Sequence, residues 1–152
     1  MSTMQIVRTQ SNHPDFQELV KQLDAYLAIQ DGEEHAFYNQ FNSIETLQHV
    51  VVVYANEKAV ACGAFKAFDA ESVEIKRMYT HPNARGKGFA TKVLSQLETW
   101  AQELNFKKTV LETGKRQPEA VALYEKCGYV RIENYGQYSG MENSLCFEKI
   151  LF

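Results

Sequence analysis

EIKRMYTHPNARGKGFATKVL, Glu74 to Leu94, is the stretch on which the fold turns. Its first half closes the run SVEIKRMYT, which reads as a strand ended by His81-Pro82. Its second half opens a helix, because Phe89, Val93, Leu97, Trp100, Ala101 and Leu104 recur at helical spacing. Between the two lie Gly86 and Gly88 with the cations Arg85 and Lys87. Unpaired main-chain N–H groups at a helix N-terminus, backed by the macrodipole, form an anion site, and glycines let a phosphate approach without meeting a β-carbon. Ala90 keeps the first turn small. The nucleoside-triphosphate loop G-x-x-x-x-G-K-[ST] is absent, and the dinucleotide fingerprint lacks its third small residue. Taken alone, the stretch reads equally as a glycine turn before a surface helix or as a phosphate cradle.

The flanking sequence supplies the context. Upstream, Met4 to Arg8 reads as a short strand, and His13-Pro14 opens a helix carrying Phe16, Leu19, Val20, Leu23, Tyr26 and Leu27. DGEEHAFYNQFNSIETL has no clear period and is expected to hold a short helix and loop. HVVVVY, a polar turn at Asn56-Glu57-Lys58, and AVACGAFKAF read as a hairpin, and SVEIKRMYT follows as the third strand of a meander. Downstream, the long helix leads into the strand KTVLET, a crossover that implies parallel pairing. A second helix starts near Pro118, carries Val121, Leu123 and Tyr124, and stops at Gly128. YVRI and SLCFEKIL complete the sheet. The fold class is α+β, a mixed α/β arrangement with helices on both faces of a central, mostly antiparallel sheet.

Composition limits the function. A chain of 152 residues with 45% hydrophobic content and no low-complexity linker or fixed-period repeat is expected to form one domain over residues 1–152. The net charge of −3 argues against a polyanion partner, since phosphate backbones select basic surfaces; no nucleic acid is expected. Cys62, Cys127 and Cys146 are odd in number and widely spaced, which suits reduced thiols. The start MSTMQIVRTQ lacks an apolar core, and no segment has the ~18 apolar residues of a membrane span, so a soluble cytoplasmic protein with no membrane partner is expected. His13, His35, His49 and His81 have no metal-like spacing, and no metal is expected.

From Glu74 to Tyr129 the order of strand EIKRMYTHP, loop NARGKGFA, long helix, strand VLET and helix EAVALYEKCGY resembles the GNAT superfamily of N-acetyltransferases. The family signature [QR]-x-x-G-x-[GA] appears as Arg85-x-x-Gly88-x-Ala90, and A-[IV]-x-L-Y-x-K-x-G-[FY] as the run Ala120 to Tyr129. The resemblance implies a GNAT-like fold and acetyl-CoA as co-substrate. It implies that Arg85, Gly86, Lys87, Gly88, Phe89 and Ala90 hold the pyrophosphate. The main chain of Met78, Tyr79 and Thr80 would bond pantetheine, lying like an extra strand between diverging strands. Where relatives often carry an Asn that touches the cofactor, Gln117 stands, and its amide can make similar bonds. Phe89 replaces a smaller aliphatic residue.

Acetyl transfer needs a neutral amine, yet a primary amine with a pKa of roughly 10 is almost wholly protonated at pH 7. By resemblance Glu74 is the general base, and the alternative reading pairs it with Lys76 as a surface salt bridge. A main-chain N–H near Met78 would serve the oxyanion, and Tyr124 would protonate or hydrogen-bond the departing thiolate and touch the cofactor. Arg77 is expected beside Ile75 on the more buried face, either in an ion pair with Glu112 or Glu71 or, through a bulge, holding an anionic group of the acceptor. NYGQYSGMENSLCF either lines the amine site or packs as a loop. The expected function is acetyl transfer to a small amine-bearing metabolite, amino-acid-like if Arg77 faces the cleft. A protein lysine or N-terminal acetyltransferase and a non-catalytic CoA-binding sensor are the alternatives, and a homodimer is left open.

Overall fold

The computed structural model describes residues 3–32 and 47–151. The strands are β1 (Met4–Thr9), β2 (His49–Ala55), β3 (Lys58–Ala67), β4 (Ser72–Thr80), β5 (Lys108–Gly114), β6 (Val130–Ile132) and β7 (Ser144–Ile150). The helices are α1 (Pro14–Asp31), α2 (Phe89–Glu103) and α3 (Pro118–Lys126), with short 3-10 turns at Pro82–Ala84 and Gly136–Tyr138. Most of DGEEHAFYNQFNSIETL lies outside the described residues.

The sheet order is β1-β2-β3-β4-β5-β7-β6. Among the described residues only β4 and β5 pair in parallel, joined by α2, and the remaining pairings are antiparallel. The four consecutive valines of β2 show why the sheet is covered on both sides. Val51 and Val53 pack with Val93, Leu94 and Leu97 of α2 on one face, and Val50 and Val52 pack with Phe16, Leu19 and Val20 of α1 on the other. All four valines are fully buried, as expected of a strand with helices on both faces.

Local chemistry sets the boundaries. The β2–β3 hairpin turns on Asn56 and Glu57 alone, with φ of 51° and 70°, which matches the twist of the flanking strands. Gly128, at φ 92°, follows α3 in the left-handed conformation expected of it. The expectation for Leu104 needs correction: it caps α2 and is 43% exposed, because Asn105 takes a left-handed conformation (φ 69°) and turns the chain away. His13 and His81 are capping residues whose Nδ1 atoms accept from the main-chain N–H of Asp15 and Asn83.

β4 contains the irregularity that shapes the site. Cys62 faces Tyr79 and Ala64 faces Lys76, so Gly63 stands opposite both Arg77 and Met78. Arg77 absorbs this bulge with φ 60°, a conformation that costs a non-glycine residue about 1–3 kcal/mol and persists only where its surroundings enforce it. Gly63 is part of that enforcement, since a β-carbon there would lie 2.5 Å from the Met78 sulfur and 2.8 Å from Val93. The bulge also corrects the expected side for Arg77: Ile75 joins the α2-side core, whereas Arg77 reaches Asp24 of α1 on the opposite face.

Candidate active site

β4 and β5 begin side by side and then part. Their ladder runs only from Ser72 opposite Lys108 to Glu74 opposite Val110, although β4 continues to Thr80 and β5 to Gly114. The facing edges beyond Glu74 carry main-chain donors and acceptors that a ligand can pair.

Two neighbouring cavities lie at this fork and share part of their walls. The larger, about 990 Å³, is walled by Met78, Tyr79 and Thr80, by Arg85, Gly86, Gly88, Phe89 and Ala90, and by Gln117 and Tyr124. The smaller, about 90 Å³, is walled by Glu74, Lys76, Arg77, Glu112 and Tyr138, with Leu23 and Leu27 of α1 closing one side. Met78, Gln117 and Tyr124 border both. The residues expected from the sequence are thus brought together, with the exception of Lys87, which is exposed and lines neither cavity.

The cradle suits a polyphosphate. Gly86 and Gly88 have φ of 78° and 83°, and a β-carbon on either would meet nothing within 4 Å, so the space over them is open. No side chain caps the first turn of α2, and its dipole faces that space. The Arg85 guanidinium lies 5.4 Å from the ring centre of Tyr26, and its Nε donates to the Thr80 carbonyl at 3.2 Å, which holds the charge at the rim. Tyr26 was not anticipated as a site residue; its helical spacing marked it only as part of α1.

Glu74 is 3% exposed. Its Oε2 accepts from the Tyr135 hydroxyl at 2.8 Å, and Lys76 Nζ lies 4.0 Å from Oε1. The Lys76 contact is therefore buried, with side chains 5% and 8% exposed, and the surface salt bridge read from the sequence is corrected. Tyr135 belongs to the segment between β6 and β7, where Asn134 Nδ2 braces the turn by donating to the carbonyls of Met141 (2.9 Å) and Ser144 (3.0 Å). Phe68 and Tyr138 pack against Tyr135 edge-on, with ring centres 4.9 and 5.8 Å away. The aromatic and amide content of NYGQYSGMENSLCF pointed to the acceptor side, but nothing in its spacing singles out Tyr135.

Tyr124 is buried against Tyr129 and Phe147. Burial first, then the nearby Glu112 and Cys127, push its phenol well above its ordinary range, so it holds its proton at neutral pH. Its side chain lies where the two cavities meet, so a protonated phenol borders both. Gln117 precedes α3 with its amide beside Gly114. Arg77 Nη1 lies 3.0 Å from Asp24 Oδ1, so the internal partner is Asp24 rather than Glu112 or Glu71. Its buried Nε has no hydrogen-bond partner among the described residues.

A buried carboxylate, a buried phenol and an open glycine turn at a helix N-terminus thus lie together where two strands fork. The sequence model of the Acetyltransferase (GNAT) family matches residues 13–129, more than half of the chain. The chain belongs to this family. A relative from Azospirillum brasilense described as an IAA acetyltransferase is 32% identical over 140 residues, 88% of this chain and 89% of its own length. Among solved structures, a Klebsiella pneumoniae protein described as an acyl-CoA N-acyltransferase superposes with a TM-score of 0.83, 26% identity and 99% coverage of both chains. A GNAT acetyltransferase from Elizabethkingia anophelis with acetyl-CoA bound shares the fold at a TM-score of 0.67 and 16% identity, covering 97% of each chain. This GNAT chain is an acetyltransferase, and the mixed seven-stranded sheet and three helices among its described residues match the family architecture.

Proposed function

We propose that the chain moves the acetyl group of acetyl-CoA directly to the amine of a small metabolite. Acetyl-CoA supplies an activated thioester, and the larger cavity fits its bulk. Arg85 and the open N-terminal turn of α2 take the pyrophosphate, Gly86, Gly88, Phe89 and Ala90 form the contact surface, and Lys87 adds charge from outside. The exposed edge of Met78, Tyr79 and Thr80 pairs the pantetheine amides, and Gln117 contributes its amide. Glu74 takes the proton of the incoming ammonium, a main-chain N–H near Met78 faces the carbonyl oxygen, and Tyr124 donates to the departing sulfur.

The observation that carries the small-acceptor reading is the size of the Glu74 cavity. About 90 Å³ walled by α1 and Tyr138 suits the amine end of a small molecule better than a peptide. Arg77 is assigned to an anionic group on the acceptor through its Nε, which has no hydrogen-bond partner among the described residues, the guanidinium remaining braced by Asp24. The test is CoA release from acetyl-CoA over a panel of amines, amino acids and peptides. Release with small amines, and with amino acids over their decarboxylated counterparts in a manner lost in Arg77→Met, is expected. Release with peptides alone would make the chain a protein acetyltransferase, and tight acetyl-CoA binding without any release would make it a sensor.

A further inference from the structure

We propose that Lys76 is an internal acetyl acceptor, modified on Nζ from bound acetyl-CoA when no external amine fills the small cavity. This rests on the acetyl-CoA reading of the site and adds to it a residue for which that reading has no use.

The bulge creates the arrangement. By turning Arg77 to the face already occupied by Glu74 and Lys76, it sets two consecutive cations on one side of β4. Arg77 is held by Asp24, while Lys76 extends along its own strand to bring Nζ within 4.0 Å of Glu74 Oε1. Its side chain is 8% exposed, although lysine ordinarily keeps its strongly hydrated ammonium in water. Burial lowers its pKa from the usual lysine value, and Lys66 and Arg77 lower it further, against the opposing pull of Glu74 and Glu112. The neutral amine is therefore more accessible than on a surface lysine. Lys76 also shares the cavity wall with Met78 and Tyr124, assigned to the carbonyl oxygen and the leaving sulfur. A substrate amine would have to present itself in the same way, and here the chain supplies that amine itself.

The step balances without any further reactant. Glu74 receives a proton from the Lys76 ammonium, the Nζ lone pair attacks the thioester carbon, an N–C bond forms and the C–S bond breaks. Glu74 passes that first proton to solvent, Tyr124 delivers a proton to the sulfur, and the second nitrogen proton returns to Tyr124 by way of the freed Glu74, leaving Nε-acetyl-Lys76, CoA thiol and one proton released to solvent. The acetyl group removes the lysine charge and occupies part of a cavity of about 90 Å³, so the modified chain loses room for an external amine.

The experiment incubates the full chain with acetyl-CoA bearing an isotope-labelled acetyl group, without added amine, and follows each lysine by peptide mapping and mass spectrometry. Lys107, whose side chain is 67% exposed, is the internal reference for uncatalysed acetylation. Lys76 is expected to acquire label roughly tenfold faster than Lys107 or more, since it is held beside the reacting groups. That advantage should disappear in urea, and Glu74→Gln should slow labelling at Lys76 but not at Lys107. Labelling of Lys76 no faster than Lys107, or an equal advantage in the unfolded chain, overturns the proposal. If amines release CoA while Lys76 stays unlabelled, this inference alone falls. If calorimetry shows no acetyl-CoA binding, the reading of the site falls with it.

Discussion

Glu74 and Tyr135 are 61 positions apart in sequence and 2.8 Å apart in space. The phenol donates to one carboxylate oxygen and leaves the other toward Lys76, so it fixes the orientation of Glu74 for the base role proposed above. If Tyr135 acts through Glu74, the losses from Tyr135→Phe and Glu74→Gln should not add: each alone lowers kcat, and Tyr135→Phe costs little further in the Glu74→Gln background. Additive losses, or an unaltered kcat in Tyr135→Phe with only a lower Tm, would make the tyrosine structural. The Glu74→Gln loss should shrink as pH rises, because more of the amine is then free without help. Tyr124→Phe removes a donor but keeps the ring that packs on Tyr129, so turnover should fall by ~10²-fold or more while calorimetry reports nearly unchanged acetyl-CoA affinity. Turnover equal to wild type would return Tyr124 to a packing role.

The elements differ in how far they could be read from the sequence, and the reason is range. The Arg85–Ala90 loop was legible because strand end, glycines and helix start are adjacent, and the conformation each residue needs is written in its type. Gly88→Val therefore makes a clean test: the left-handed φ of 83° becomes strained, and the branched side chain enters the open space above α2. Acetyl-CoA affinity should fall at least ~10-fold while the far-UV CD spectrum is retained, since no protein atom is displaced. Wild-type affinity would remove the phosphate from that loop. The bulge was foreseen only as a possibility of the family strand, because its enforcement comes from Gly63 on β3 together with Val93 on α2. For the same reason the partner of Arg77 was misread: Asp24 lies 53 positions away on a helix whose rotation about its axis no spacing in β4 encodes. Tyr135 was hidden by the irregular segment that carries it, where neither period 2 nor period 3.6 applies.

Across the whole molecule, four tyrosines tie α3 and the segment before β7 to the sheet, and they give the chain a distinctive response to alkali. Burial is the largest cause raising the phenols of Tyr124, Tyr129, Tyr135 and Tyr138 far above the ordinary value of 10.0. Carboxylates reinforce it, with Glu98 accepting from Tyr129 at 2.9 Å and Glu74 from Tyr135 at 2.8 Å. Below about pH 10 the phenols keep their protons in both folded and unfolded chains, so their contribution is fully present. Above it the unfolded chain ionises while the folded one does not, and stability falls by about 1.4 kcal/mol per pH unit for each tyrosine until its folded pKa is passed. Four acting together would exhaust a typical stability of about 5–15 kcal/mol within roughly one to three pH units. The phenolate absorbance of these residues should therefore appear in one cooperative step above pH 10, coincident with loss of the far-UV CD signal. Gradual ionisation of all the tyrosines near pH 10 with secondary structure intact would mean that water reaches these phenols. The dry wall that the donor role proposed for Tyr124 requires would then be lost.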